Sequence, residues 1–349
     1  MGDFIEIDGS FGEGGGQILR TSLSLSCITG RSLHIYNIRK GRRRPGLMPQ
    51  HLTVVRAVSL ISGGKAIGDE KGSLELRFIP GQVRAGHYRF DIGTAGSTTL
   101  VLQALIPPLI LQQGVSRITL TGGTHVPHSP CFHYIKEVFL SFLGMLGIHV
   151  EAGIEMFGFY PKGGGRIWAE VRPAKEIRGI FIRKRGEILS IKGCSGVSNL
   201  PLSIAERQRQ SALDILRPCS PEIDIDTISV PSVGKGTFIF LKLIAENTVA
   251  GFSSLGERGR RAEDVGREVA DAALSHIHSR AALDPYIADQ LVLYLALSKK
   301  ESSFSTSRIT KHLITNLHVI KAFTGLSYRI EGASGEPGIV HLWPSESGP

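Results

Sequence analysis

Apolar residues recur along this chain with the period of a helix in two kinds of segment, and short runs with strand character lie between them. The first kind is strongly apolar and opens on glycine or polar residues: Gly14-Gly15-Gly16-Gln17-Ile18-Leu19, Gly96-Ser97-Thr98-Thr99-Leu100-Val101 and Ala288-Asp289-Gln290-Leu291-Val292-Leu293. The second kind is amphipathic and stops at glycine: Gln50 to Ala57 running to Gly63-Gly64, His133 to Val138 running to Gly147, and His312-Leu313-Ile314 running to Gly325. Runs such as Arg117-Ile118-Thr119-Leu120-Thr121 and Ile167-Trp168-Ala169-Glu170-Val171 read as strands between and after these helices. The alternation predicts an α+β fold of three repeated βαβαββ units, about residues 1–84, 85–180 and 281–349, whose helices pack around a shared core.

The repeat leaves residues 186–280 over, which read as a smaller inserted α/β domain within a repeat domain of 1–185 and 281–349. The insert has its own helix patterns, Ile204 to Leu216 and Ala262 to His276, and strands near Thr237 to Leu241 and Thr248 to Phe252. Its segment Gly256-Glu257-Arg258-Gly259-Arg260-Arg261 reads as a charged turn into the second of those helices.

With 349 residues, 42% of them hydrophobic, the chain is long and apolar enough to bury a substantial core. A formal charge of +9 permits a polyanionic partner without proving one. Cys27, Cys131, Cys194 and Cys219 form no C-x-x-C pair, which argues against a zinc ribbon or thioredoxin-like site and fits free thiols in a reducing cytoplasm. The start, Met1-Gly2-Asp3-Phe4-Ile5-Glu6, lacks the basic and apolar regions of a signal peptide. No membrane span is expected, because the apolar run from Leu100 to Leu111 is short and is broken by Gln103 and Pro107-Pro108; it reads as a buried helix. Aromatic residues, at 7%, do not cluster into an RNA-recognition signature. Ser232-Val233-Gly234-Lys235-Gly236-Thr237 fails as a phosphate loop, since Ser229 replaces the first glycine and Gly236 the hydroxyl residue.

Four segments carry candidate chemistry. Lys311-His312-Leu313-Ile314-Thr315-Asn316 begins a helix behind the capping candidates Ser305-Thr306-Ser307, so the helix end favours a neutral imidazole and attracts an anion. Those conditions suit His312 to attack phosphorus, with Thr315 and Asn316 on its face expected to orient the ring. Gly12-Glu13-Gly14-Gly15-Gly16-Gln17-Ile18-Leu19-Arg20 lets backbone approach a phosphate, and Glu13 among phosphate-binding groups suggests a Mg or Mn ligand. Arg39-Lys40-Gly41-Arg42-Arg43-Arg44 places five cations in one connection, for which triphosphate or an RNA backbone is a natural partner. Around Val126-Pro127-His128-Ser129-Pro130-Cys131 the histidines His125, His128 and His133 lie close together, but they match no metal motif and a rigid proline turn is the better reading.

Taken in order, the glycine segment, the Arg39 to Gly46 loop with Gln50-His51-Leu52-Thr53, Gly93-Thr94-Ala95-Gly96-Ser97 with Gln103, Gly158-Phe159-Tyr160-Pro161-Lys162-Gly163-Gly164-Gly165 and the His312 motif resemble the RNA 3'-terminal phosphate cyclase family over nearly the whole chain. The resemblance implies an ATP-dependent enzyme acting on RNA with a 3'-phosphate end and forming a 2',3'-cyclic phosphate through a histidinyl-AMP and an RNA-adenylate, for which the free thiols and the absent signal peptide leave a cytoplasmic place. It makes His312 the nucleophile and Glu13 the ligand of a Mg or Mn ion on the ATP phosphates. It also implies that Arg20, Arg39, Arg42 and Gln50 contact the phosphate chain, that Gln103 lies near the reacting phosphate, and that Pro130, Tyr286, Asp289 and Gln290 line the adenosine pocket. An inactive homologue acting in ribosome assembly and an enolpyruvyl transferase of similar repeated architecture are the competing readings; assembly as a homo-oligomer stays open.

Overall fold

The structure is a computed structural model describing residues 4–219 and 222–345. Met1, Gly2 and Asp3 of the N-terminal segment lie outside the described residues.

The first sheet takes its strands from β1 (Ile5–Asp8), β2 (Leu33–Tyr36), β3 (Lys65–Ile67) and β4 (Leu76–Ile79), in the order β1-β2-β4-β3. Helices α1 (Gly16–Thr29) and α2 (Pro49–Ser62) connect them. The second sheet, β5 (His87–Asp91), β6 (Ser116–Gly122), β7 (Val150–Met156) and β8 (Gly165–Val171), runs β5-β6-β8-β7. Its helices are α3 (Thr98–Leu109) and α4, which spans 132–145 and is interrupted by a π turn at Ile135–Phe139. The third sheet is built from β9 (Phe181–Ile182), β14 (Ser302–Thr306), β15 (Ser327–Glu331) and β16 (Gly338–Trp343), ordered β9-β14-β16-β15. In each of these sheets the first two strands are parallel and the remaining pairings antiparallel. The third sheet thus draws its edge strand from Phe181–Ile182, upstream of the expected start near 281. Two residues are too few to alternate, so periodicity gave no sign of that strand.

Between β9 and the last two helices lies a fourth sheet of different order, β11-β10-β12-β13, made of β10 (Ile188–Ser198), β11 (Ile223–Ser229), β12 (Gly236–Ala245) and β13 (Val249–Leu255). Its helices α5 (Ser203–Leu216) and α6 (Ala262–Ser279) pack on each other and on the sheet around a cluster of their own. β12 is apolar almost throughout because both its faces are covered. Ile239, Leu241 and Leu243 enter that cluster, while Phe238 and Phe240 point the other way into the main core beside α4.

The final helices, α7 (Pro285–Leu297) and α8 (Lys311–Thr324), join α1, α2, α3 and α4 in one continuous apolar core. α1 packs against α8, α3 and α2, and α7 against α8; hydrogen bonds Glu13–Thr315 and Gln50–Ser97 bring the approach to α1 onto the start of α8 and the start of α2 onto that of α3. Local chemistry fixes these starts: the Ser97 hydroxyl accepts the Leu100 N–H, the Asp284 carboxylate those of Tyr286 and Ile287, and the Thr310 hydroxyl that of Leu313. Gly30, Gly63 and Gly325 end α1, α2 and α8 in the left-handed conformation. The α+β class expected from the sequence holds. Among the described residues no helix is long and apolar enough to cross a membrane.

Candidate active site

His312 is the second residue of α8, half-buried, and its ring faces the loop that leads into α1. That loop is pinned to α8 through Thr315: the Glu13 N–H donates to Thr315 Oγ1 at 3.1 Å, and the Thr315 hydroxyl donates to the Lys311 carbonyl at 2.7 Å. Gly12 makes the approach possible, since it sits at φ +64° and a Cβ there would lie 2.2 Å from Thr315 Oγ1. The result places Glu13 Oε2 3.8 Å from His312 Nδ1, a buried nitrogen with no hydrogen-bond partner among the described residues.

Arg42 closes the other side of Glu13, ion-paired with its carboxylate and donating through Nη2 to its carbonyl at 3.1 Å. A carboxylate among cations is therefore satisfied by an arginine here, which sequence reasoning did not foresee. As a metal ligand Glu13 would leave Arg42 free for phosphate. One carboxylate suits a Mg or Mn ion that takes its remaining ligands from phosphates and water, so the residues present fit such an ion. The His312 imidazole is held neutral, its pKa brought down to about 4 by burial, then by Arg20 and Arg42.

The start of α1 is the natural anion seat. Gly15 caps it without a side-chain hydrogen bond and its first turn holds no acidic residue, so its N–H groups are open. His51 flanks that start: a Cβ on Gly16 would fall 2.4 Å from His51 Nε2 and 3.0 Å from Arg20 Nη1. His51 Nδ1 accepts the Met48 N–H at 3.1 Å, and burial, Arg20 and Arg39 lower its pKa to about 3. A neutral ring that accepts through Nδ1 carries its proton on Nε2, so His51 offers a donor toward the helix start. Sequence reasoning assigned His51 no role; its place two residues after the first-turn proline of α2 was the available signal. Arg39 is braced at φ +53° by donating through Nη1 to the carbonyls of Arg44 and Gly46, both at 2.8 Å.

The remaining candidates divide. Arg20, Gln103 and Gln290 line one cavity of about 60 Å³ with Thr21, Tyr294 and Asn316. Gln103 Nε2 donates to Gln290 Oε1 at 2.6 Å. Asp289 is buried beside Arg20; burial and Asp284 raise its pKa well above the ordinary value, and Arg20 opposes them. Arg20 itself falls to about 10 by burial and stays cationic at neutral pH, which links His312 electrostatically to Asp289. Gln50 does not point freely at an anion, because its Oε1 accepts the Ser97 N–H at 2.8 Å and only its amide nitrogen is left to donate. Tyr286, 48% exposed, meets Tyr134 edge-on at 6.2 Å, and the Pro130 carbonyl accepts the Thr99 hydroxyl at 2.8 Å. Neither is tied to His312 by a hydrogen bond.

Thr315 and Asn316 do not orient the imidazole as their spacing suggested. Thr315 holds the glycine loop, while Asn316 accepts the Thr21 hydroxyl and donates to the Asp289 carbonyl, each at 2.7 Å, joining α1, α7 and α8. His128 stands apart from the other two histidines, at φ +62° in its turn; Cys131 takes the third position beside His125 and His133.

A model of the family described as RNA 3'-terminal phosphate cyclase matches residues 11–330. The chain belongs to that family. The RNA 3'-terminal phosphate cyclase of Methanothermobacter thermautotrophicus is 44% identical over 341 residues, 97% of this chain and 99% of the relative. That of Staphylothermus marinus is 42% identical over 349 residues, covering 97% and 98%. Among solved structures, the enolpyruvyl transferase NikO from Streptomyces tendae overlaps 96% of this chain and 47% of its own at 10% identity, with a TM-score of 0.38 too low to inform on fold or function.

Proposed function

We propose that this cyclase-family chain converts an RNA 3'-phosphate end to a 2',3'-cyclic phosphate at the expense of ATP, through a covalent histidinyl-AMP. The observation that carries the reading is a neutral His312 at a helix start, with Glu13 beside Nδ1 and Arg20 and Arg42 acting on the ring. A carboxylate at Nδ1 favours the tautomer protonated there and leaves the Nε2 lone pair to attack.

The Nε2 lone pair forms a bond to the α-phosphorus of ATP, the α–β phosphoanhydride breaks and pyrophosphate departs. A terminal phosphate oxygen of the RNA then displaces the imidazole, giving an RNA-adenylate. The adjacent 2'-hydroxyl attacks the RNA phosphorus, loses its proton and expels AMP. Adenylation is needed because a phosphate monoester has no good leaving group, whereas the anhydride does. Arg20, Arg39, Arg42 and His51 with the open N–H groups of α1 would hold the phosphate chain, assisted by the amide of Gln50, with Gln103 near the transferring group. Glu13 would hold a Mg or Mn ion, which supplies charge neutralisation on the phosphates. Pro130, Tyr286, Asp289 and Gln290 would receive adenosine, with Tyr286 as a stacking surface.

On the same footing, the three like-ordered sheets are three copies of one βαβαββ unit, interrupted by an insert at about 186–280, and the four free cysteines suit a reducing cytoplasm. The test is incubation with ATP labelled at the α or the γ phosphate. Acid-labile, base-stable protein label from α-labelled ATP alone, lost in His312→Ala, supports the reading; no retained label, or label surviving that substitution, removes it.

A further inference from the structure

His125, Cys131 and His133 converge at the turn that precedes α4, next in the chain to Pro130 but not among the residues assigned to the transfer chemistry. One ligating atom from each lies within 4.8 Å of the other two. His125 Nε2 is 2.9 Å from His133 Nδ1, and His125 Nδ1 is 2.9 Å from Thr124 Oγ1, which also accepts the Gly158 N–H. His125 and Cys131 are each 1% exposed. Phe157, Phe238 and Phe240 pack against the two imidazoles with centroids 4.4 to 6.0 Å away. Two imidazoles and a thiol behind a wall of phenylalanines are a donor set for a soft cation.

We propose that this cluster is a metal site that takes Cu(I) in a trigonal arrangement, through His125 Nε2, His133 Nδ1 and Cys131 Sγ. Charge selects the cation. Cu(I) with one thiolate and two neutral imidazoles sums to zero, whereas Zn(II) leaves a net positive charge in an apolar shell. Glu137, the carboxylate that acts on His133, is already paired with Lys242 at 3.2 Å. Three donors also suit a cation that accepts low coordination, while Zn(II) sites of this kind call for a fourth ligand, and Cys194, the thiol on which Cys131 acts, stands outside the group of three. The nitrogens need only part to about 3.5 Å, the spacing of two donors each about 2.0 Å from a shared ion.

The protons balance without any redox change. Cys131 releases its thiol proton to solvent as the Cu–S bond forms, and the ring proton between the histidines relocates so that His125 keeps Nδ1–H against Thr124 and His133 keeps Nε2–H. Burial already keeps His133 neutral, down to about 4, and His125 still more strongly. Burial also raises the Cys131 thiol, so the metal itself drives that deprotonation. The bound ion would tie the turn carrying Pro130 to α4, against the phenylalanines of β12.

The full chain, reduced and metal-free, is titrated anaerobically with the Cu(I)–bicinchoninate complex. One Cu(I) per chain should leave the chromophore, and X-ray absorption of the loaded protein should show one sulfur and two nitrogen neighbours. Cys131→Ser and His133→Gln should each weaken Cu(I) binding by about tenfold or more, while Cys219→Ser binds as the parent. X-ray absorption needs no variant and so stands even if a substitution unfolds the chain. The proposal falls if folded parent protein leaves Cu(I) with bicinchoninate, if both variants bind as tightly as the parent, or if Zn(II) is held more tightly than Cu(I).

Discussion

Gly12→Ala tests whether the glycine loop is held against the histidine helix as described. An alanine at φ +64° costs about 1–2 kcal/mol from the left-handed backbone alone. Its Cβ would also sit 2.2 Å from Thr315 Oγ1, so the loop or the threonine must move and the 3.1 Å Glu13–Thr315 hydrogen bond is lost. That bond contributes about 0.5–1.5 kcal/mol, bringing the expected loss to about 1.5–3.5 kcal/mol. Moving Glu13 also withdraws the carboxylate from His312 Nδ1, so labelling by α-labelled ATP should slow beyond what the folded fraction explains. Urea unfolding followed by circular dichroism measures the first effect and single-turnover labelling at saturating ATP the second. In Gly12→Ala/Thr315→Ala the collision is gone while the backbone cost remains, so the double variant should be more stable than the sum of its parts by about 1 kcal/mol. Additivity of the two substitutions together with an unchanged labelling rate would refute the reasoning.

Arg42→Ala removes the partner of Glu13 and a cation from the phosphate seat, and should cut the labelling rate by about 10²–10³-fold, read by quench-flow at saturating ATP. Glu13→Ala should weaken metal-dependent labelling, and equal activity without added Mg or Mn would contradict its role. Asn316→Ala breaks two buried hydrogen bonds and should cost about 1–3 kcal/mol in urea unfolding while leaving the labelling rate per folded molecule nearly unchanged, because the amide does not touch the ring. His276, buried against Phe252 with both ring nitrogens unpaired among the described residues, has its pKa lowered to about 4 by burial and Arg185. Its folded pKa is below the unfolded value of 6.5, so its contribution is intact above pH 6.5 and is lost as pH falls toward 4, where the unfolded chain alone binds the proton. His276→Leu should therefore raise the urea midpoint more at pH 5 than at pH 7.5, by up to about 2 kcal/mol of extra stability.

Helix positions were largely legible because each is written locally. Apolar residues at helical spacing and a glycine at the stop suffice for α2 and α8, and the expected Ile204 to Leu216 differs from α5 only by Ser203. Features set by distant partners were not. The edge strand Phe181–Ile182 exists through its pairing with Ser303 and Phe304, and the π turn within α4 leaves no trace in its apolar pattern. Placement of His312 near cations was legible, since the arginine loop and glycine segment advertise an anion seat. Which residue serves which neighbour was not: Thr315 and Asn316 share a helix with His312, but the loop before α1 and the backbone of α7 claim them instead. The pairing of Arg42 with Glu13, the braced Gln50 and the donor on His51 likewise arise only when separate segments meet.

The most direct test of the central claim is to locate the adduct. The chain is incubated with ATP and Mg in the absence of RNA, digested at alkaline pH to preserve a phosphoramidate, and the AMP-bearing peptide is sequenced by mass spectrometry. The account predicts one modified residue, His312, whose adduct is discharged when RNA with a 3'-phosphate is added. AMP on His51, on a lysine, or on no residue of a folded and active enzyme would contradict it.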